Sequence, residues 1–248
     1  MLLVVGILMG GYRNYLSYLG QSINIVEHIN PHGILTIFIP TLLFESASTC
    51  DWHIFRRNLG NVMILAFPGV IIGSFLLGIC LKYLLYTELD WWPCLMMGSI
   101  VSATDPVAVV ALLKSLGASK KFQTIIEGES LLNDGTAMVF FILFAKLTKG
   151  ESYTINGVLI NLVLLIVGGP ILGLIFGYIA NLWLKRIIND DVLVITISFV
   201  MCYLLFFLSE NLKYSVSGIL ALVTLGFFMS AIGRTSISHD SITQFHTV

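Results

Sequence analysis

Long apolar runs alternate with short polar clusters along the whole chain. The hydrophobic segments fall at about residues 1–10, 32–49, 57–86, 92–116, 121–147, 154–186, 191–209 and 214–232. All but the first are long enough to cross a bilayer core, which takes about 20 helical residues. The first, MLLVVGILMG, is shorter than a span and lacks the charged start of a signal peptide, so it reads as the end of a truncated helix. Polar punctuation separates the runs: Arg13 and Asn14; Asp51, Arg56 and Arg57; Glu88 and Asp90; Lys120 and Lys121; Lys149 and Glu151; Asp190 and Asp191; Glu210 and Lys213. The run at 57–86 is ~45 Å long if straight, which requires tilt or a kink at Pro68 and Gly69. The run at 92–116 should break at Thr104 and Asp105, because Pro106 lacks a backbone donor and disfavours helical geometry before it. The pattern predicts an all-α polytopic membrane protein of about eight helices. Residues 1–232 form the membrane domain, and residues 233–248 form a cytoplasmic or loop tail, cut short.

Composition strengthens this picture. The chain is 57% hydrophobic and 11% charged, with a mean hydropathy of +0.93. Soluble domains carry about 25% charged residues. The net charge of −1 and the absence of basic runs argue against nucleic acid as a partner; the bilayer is the partner implied. Arg56, Arg57, Lys114, Lys120, Lys121, Lys185, Arg186 and Arg234 lie on even-numbered connections or their flanks. The odd ones hold fewer basic residues: Arg13, Lys82, Lys146, Lys149 and Lys213. The even connections are therefore placed in the cytosol. The cysteines Cys50, Cys80, Cys94 and Cys202 show no CxxC spacing, and Cys80, inside an apolar run, reads as a buried free thiol. Gly169, Gly173 and Gly177 form a small-residue stripe suited to close helix packing.

The candidate chemistry lies in residues 98–139. Asp105, Glu129 and Asp134 all fall in apolar surroundings, where a charge costs roughly 2.5–3.5 kcal/mol on insertion scales. Irregular backbone at membrane depth is tolerated where protein buries it or where it lines a watery cavity, and broken helices recur as ion sites. Asp105 is also placed to cap the half-helix that begins at Pro106. Ser130, Asn133, Asp134 and Ala137 share one helical face, a small polar stripe that should face protein or water. Asp134 offers a hard oxygen for Na+, and one carboxylate can hold either H+ or Na+ but not both. Asn133 adds a neutral carbonyl and amide. Against this stands a structural Asp134 bonded to a neighbouring helix.

Glu129 points elsewhere on its helix; either its cationic partner lies outside this chain or it carries a proton. Glu127 reads as a solvated end charge, and Glu45 as a funnel, packing or interfacial residue. The histidines His28, His32, His53, His239 and His246 lack metal-ligand spacing. No cofactor is called for beyond the transported ions Na+ and H+.

At ATDPVAVVALL (103–113), GESLLNDGTA (128–137), LLFESA (42–47) and SGILAL (217–222), the chain resembles the monovalent cation/proton antiporter superfamily, in its eukaryotic-type sodium/proton exchanger branch. The likeness is somewhat stronger to sperm-specific and plant salt-tolerance exchangers. The resemblance implies a fold of roughly thirteen helices in inverted repeats, a homodimer, and elevator-type alternating access at the plasma membrane. It implies electroneutral Na+/H+ exchange that regulates intracellular pH, with Asp134 as the cation- and proton-binding carboxylate and Asn133 marking the electroneutral type. Asp105 and Thr104 would sit at the broken helix, Ser130 would line the site, and Glu129 would pair with an arginine on a later helix. The first family helix and the later core helices fall outside this pattern of segments, so a non-transporting regulatory partner of a full-length exchanger is the alternative. A cation channel built on the same carboxylates is a further one. An intramembrane protease is disfavoured, since no His or Lys is placed mid-segment to activate Ser130, although an aspartyl dyad of Asp105 and Asp134 is chemically conceivable.

Overall fold

The computed structural model describes residues 6–7, 31–85, 88–150, 155–187, 191–211 and 216–233. Every element among them is helical: α1 (Pro31–Thr49), α2 (Trp52–Cys80), α3 (Trp91–Ser102), α4 (Val107–Ser115), α5 (Lys120–Thr148), α6 (Ile155–Leu184), α7 (Asp191–Asn211) and α8 (Gly218–Phe228). Short π turns, Leu81–Leu85 and Met229–Gly233, continue α2 and α8. The chain divides into Met1–Ile39 and Pro40–Val248. In the first part the described residues, 6–7 and 31–39, are helical; the packing described below lies within the second.

The helix boundaries follow from local chemistry. Asp51 caps α2, its carboxylate accepting from His53 N at 3.1 Å and Ile54 N at 3.4 Å. This starts the helix five residues before the apolar run. Ser119 and Ser217 cap α5 and α8 by accepting from Phe122 N and Leu220 N, each at 3.4 Å. The α2 helix runs unbroken through Pro68, so the expected kink there does not interrupt it. By contrast, the 92–116 run does break: residues 103–106 are non-helical between α3 and α4.

Among the described residues four helices are long and apolar enough to cross a membrane: Trp52–Leu84, Lys120–Thr148, Ile160–Leu184 and Val192–Asn211. Of the seven runs expected to be long enough, 32–49, 92–116 and 214–232 are not among these four. The 92–116 run is two half-helices, and 214–232 forms a shorter apolar helix, Gly218–Ile232. Residues 212–215 and the tail from 234 onward lie outside the described residues.

Unlike a soluble protein, the helices expose large apolar side chains and bury small polar ones beside their hydrophobic core. Ile64, Leu76, Tyr178 and Phe207 are exposed on the helices. Ser74, Ser99, Thr124, Ser130, Asn133, Thr136, Ser198 and Ser230 are buried. In lipid the apolar surface needs no burial, and small or hydrogen-bonding residues hold the helices together. For the same reason Cys80, free as expected, is exposed rather than buried; an apolar run tells little about which side faces protein. Helices α2, α3 and α5 pack against one another, as do α6, α7 and α8, and α8 also meets α5. At one join Phe55 stacks on Phe227, ring centroids 4.2 Å apart, beside Trp52, Ala47, Val62 and Leu131. The glycine stripe does the packing expected of it: a Cβ on Gly173 would stand 2.4 Å from Ala221 O of α8.

Candidate functional site

The break between α3 and α4 frees backbone carbonyls, and α5 supplies donors to them. Ser130 Oγ donates to Thr104 O at 3.2 Å. Asn133 Nδ2 reaches Thr104 Oγ1 at 3.4 Å and Ser102 O at 3.5 Å. Both side chains are buried. Asn133 Oδ1 is also buried, with no hydrogen-bond partner. Three of the proposed site residues, Thr104, Ser130 and Asn133, are thus in direct contact across the α3–α4 break and α5.

Asp134 follows Asn133 on α5 and is half-buried. Asp105 and Glu129 both lie within electrostatic reach of it. Yet among the described residues no three His, Cys, Asp or Glu side chains converge closely enough to hold a metal together. The site is therefore not a carboxylate cage. It offers an acidic oxygen from Asp134, a second acid at the break, and neutral oxygens from Thr104, Ser130 and Asn133.

Several expectations are refined. Pro106 occupies the N-cap position of α4 and has no side-chain cap bond, so Asp105 stands one position outside the cap rather than in it. Thr104 and Asp105 are exposed. Glu129, half-buried, has no ion pair among the described residues. Glu127 is not merely a solvated end charge: its Oε1 lies 3.1 Å from Lys114 Nζ at the end of α4. Glu45 and His53 are exposed. His28, His239 and His246, and the side chain of His32, lie outside the described residues.

Residue patterns did not single out Ser102, whose carbonyl faces Asn133 and whose hydroxyl lies 3.1 Å from Ser74 Oγ on α2. Its one signal was position, two residues before the break.

The transmembrane family described as sodium/hydrogen exchanger matches residues 1–247. The chain belongs to the sodium/hydrogen exchanger family. It is 43% identical over 99% of its length to sodium/hydrogen exchanger 7 of Arabidopsis thaliana, spanning 22% of that protein. It is 32% identical over 83% of its length to the Na+/H+ antiporter ApNhaP of Aphanothece halophytica, spanning 39% of it. Against the Na+/H+ exchanger beta of Oncorhynchus mykiss, identity is 29% over 98% of this chain.

The fold matches that of the sodium proton antiporter MjNhaP1 from Methanocaldococcus jannaschii, with a TM-score of 0.79 at 21% identity, over 98% of this exchanger chain and 58% of that one. This exchanger-family chain is thus an integral, multi-pass membrane protein with an NhaP1-like helical fold. It spans well under two thirds of the length of these relatives.

Proposed function

We propose that this chain serves secondary active exchange of Na+ for H+ across a membrane, with Asp134 as the carboxylate that holds the two ions in turn. The observation that carries this reading is the helix break at residues 103–106, whose carbonyls are met by Ser130 and Asn133 one residue from Asp134. Thr104 and Ser130 contribute neutral oxygens to Na+, Asn133 fixes the break against α5, and Asp105 adds negative potential. Since Asn133 is neutral, Asp134 trades one Na+ for one proton and the cycle is electroneutral. Glu129 serves a structural ion pair with a basic group beyond the described residues. Elevator-type alternating access, a homodimer, plasma-membrane residence and regulation of intracellular pH complete the reading, supported by membership of the exchanger family.

The test is sodium-driven proton flux in proteoliposomes with Na+ outside and a pH dye inside. Inward Na+ coupled to outward H+ makes the interior alkaline. Asp134→Asn removes the titrating charge at nearly constant volume and abolishes this signal, while the protein still folds. Sodium-dependent flux that persists at the wild-type rate in Asp134→Asn overturns the assignment.

A further inference from the structure

Helix α4 is poorly held by packing. Of its side chains Val110 is buried and Leu113 half-buried, whereas Ala108, Val109, Ala111, Leu112, Lys114 and Ser115 are exposed. Its neighbour is α5, which it joins through a tight turn. In that turn Ala118 N donates to Leu113 O at 2.9 Å and Gly117 takes φ 69°, a left-handed conformation that suits glycine. Gln123 Nε2 closes the hairpin by donating to Ala118 O at 2.8 Å. Beyond it stands the Lys114–Glu127 pair at 3.1 Å.

The pair and the ion site lie at opposite ends of the same helix contact. Lys114 lies seven residues after Val107, the first residue of α4, about 10 Å along it, and Glu127 lies seven before Asp134, about 10 Å along α5. Seven residues are close to two full turns, so Glu127 and Asp134 share one face of α5. The α4–α5 contact is thus bracketed by the Lys114–Glu127 pair at the turn end and by the Ser130 bond to Thr104 O at the break end.

We propose that Lys114 and Glu127 are positioning residues of the ion site: their salt bridge clamps the half-helix α4 in register on α5. This rests on the exchange reading for its functional consequence. Neither residue touches the ion. Lys114 is 61% exposed and Glu127 29%, so the clamp is a modest one.

The test compares K114Q, E127Q and the charge swap K114E/E127K by proton flux in proteoliposomes. Deuterium uptake over residues 103–118 is followed in nanodiscs alongside. A clamp predicts that K114Q and E127Q each raise KM for Na+ about two- to fivefold, with kcat little changed, and that the swap restores it. If the two residues acted merely through charge, E127Q would weaken and K114Q would strengthen Na+ binding; opposite shifts therefore overturn the clamp. Faster deuterium uptake in both single variants, reversed in the swap, supports it, and unchanged uptake overturns it. The uptake does not depend on transport. If wild type shows no flux sensitive to Asp134→Asn, the exchange reading fails while the uptake still decides the clamp.

Discussion

Asn133 concentrates the conflict that a functional site tolerates. Its Nδ2 has two long contacts, to Thr104 Oγ1 and Ser102 O, and its Oδ1 is buried without a hydrogen-bond partner. An orphaned buried acceptor costs about 1–3 kcal/mol, and such groups are kept where function needs them. Asn133→Asp turns the donor into a second acceptor. Thr104 Oγ1 can then donate to it, whereas Ser102 O faces an oxygen. More consequentially, the pair at 133 and 134 gains a second titrating charge, and the exchange ratio need no longer be one for one. Under K+ and valinomycin clamps, wild-type flux should ignore membrane potential, and Asn133→Asp flux should respond to it. Wild-type flux that varies with the clamped potential overturns the electroneutral reading. That Ser130 and Asn133 would meet the break at Thr104 was legible in the sequence because it follows from one helical stripe and one proline break. The Lys114–Glu127 bridge was not, because it depends on how two helices fold back across the turn at Gly117.

At the scale of elements, close approach is set by glycine and serine rather than by large side chains. A Cβ on Gly98 of α3 would stand 2.4 Å from Ser74 O and 3.0 Å from Gly78 N, both backbone atoms of α2 that cannot rotate away. Gly98→Ala therefore forces α2 and α3 apart, beside the Ser74–Ser102 contact that leads to the break. The expected loss is about 1–3 kcal/mol, seen as a fall of about 2–12 °C in the unfolding midpoint in detergent. Gly69 is the matched control: it follows Pro68 in the same α2, and nothing lies within 4 Å of its Cβ position. Gly69→Ala should leave the midpoint unchanged or raise it, because alanine is the better helix former. Equal midpoints for the two variants would show that the α2–α3 contact is not close-packed. The helices themselves were visible as apolar runs, whereas the early start of α2 at Trp52 was not, because it comes from the Asp51 cap rather than from hydrophobicity. Which face of each helix meets protein was not visible, as Cys80 shows: when lipid is as apolar as leucine, periodicity of hydrophobic residues carries little signal, and the small polar residues mark the inside instead.

For the whole molecule, orientation in the membrane is predicted from the two ends of the broken helix. Residues 91–115 form the half-helices α3 and α4 on either side of the break at 103–106, and their outer ends differ in chemistry. At the α3 end stand Tyr83, Trp91 and Trp92, all exposed, with the Tyr83 and Trp91 rings 5.8 Å apart and edge-on, and Lys82 Nζ donating to Leu89 O. Amphipathic rings clustered in this way belong at a headgroup layer. At the other end Lys114, Lys120 and Lys121 crowd one turn, against Glu88 and Asp90 at the aromatic end. The bias in Lys and Arg predicts that the Lys120 turn is cytosolic and the Glu88 loop on the opposite side. A cysteine introduced at Leu89, which is exposed, should react with a membrane-impermeant maleimide on intact cells, whereas one at Ser119 should react after permeabilisation alone. The reverse pattern inverts the topology, and with it the side from which the α4–α5 hairpin is reached. Labelling of both sites that needs permeabilisation leaves the helix order intact and overturns the proposed plasma-membrane residence in favour of an internal membrane.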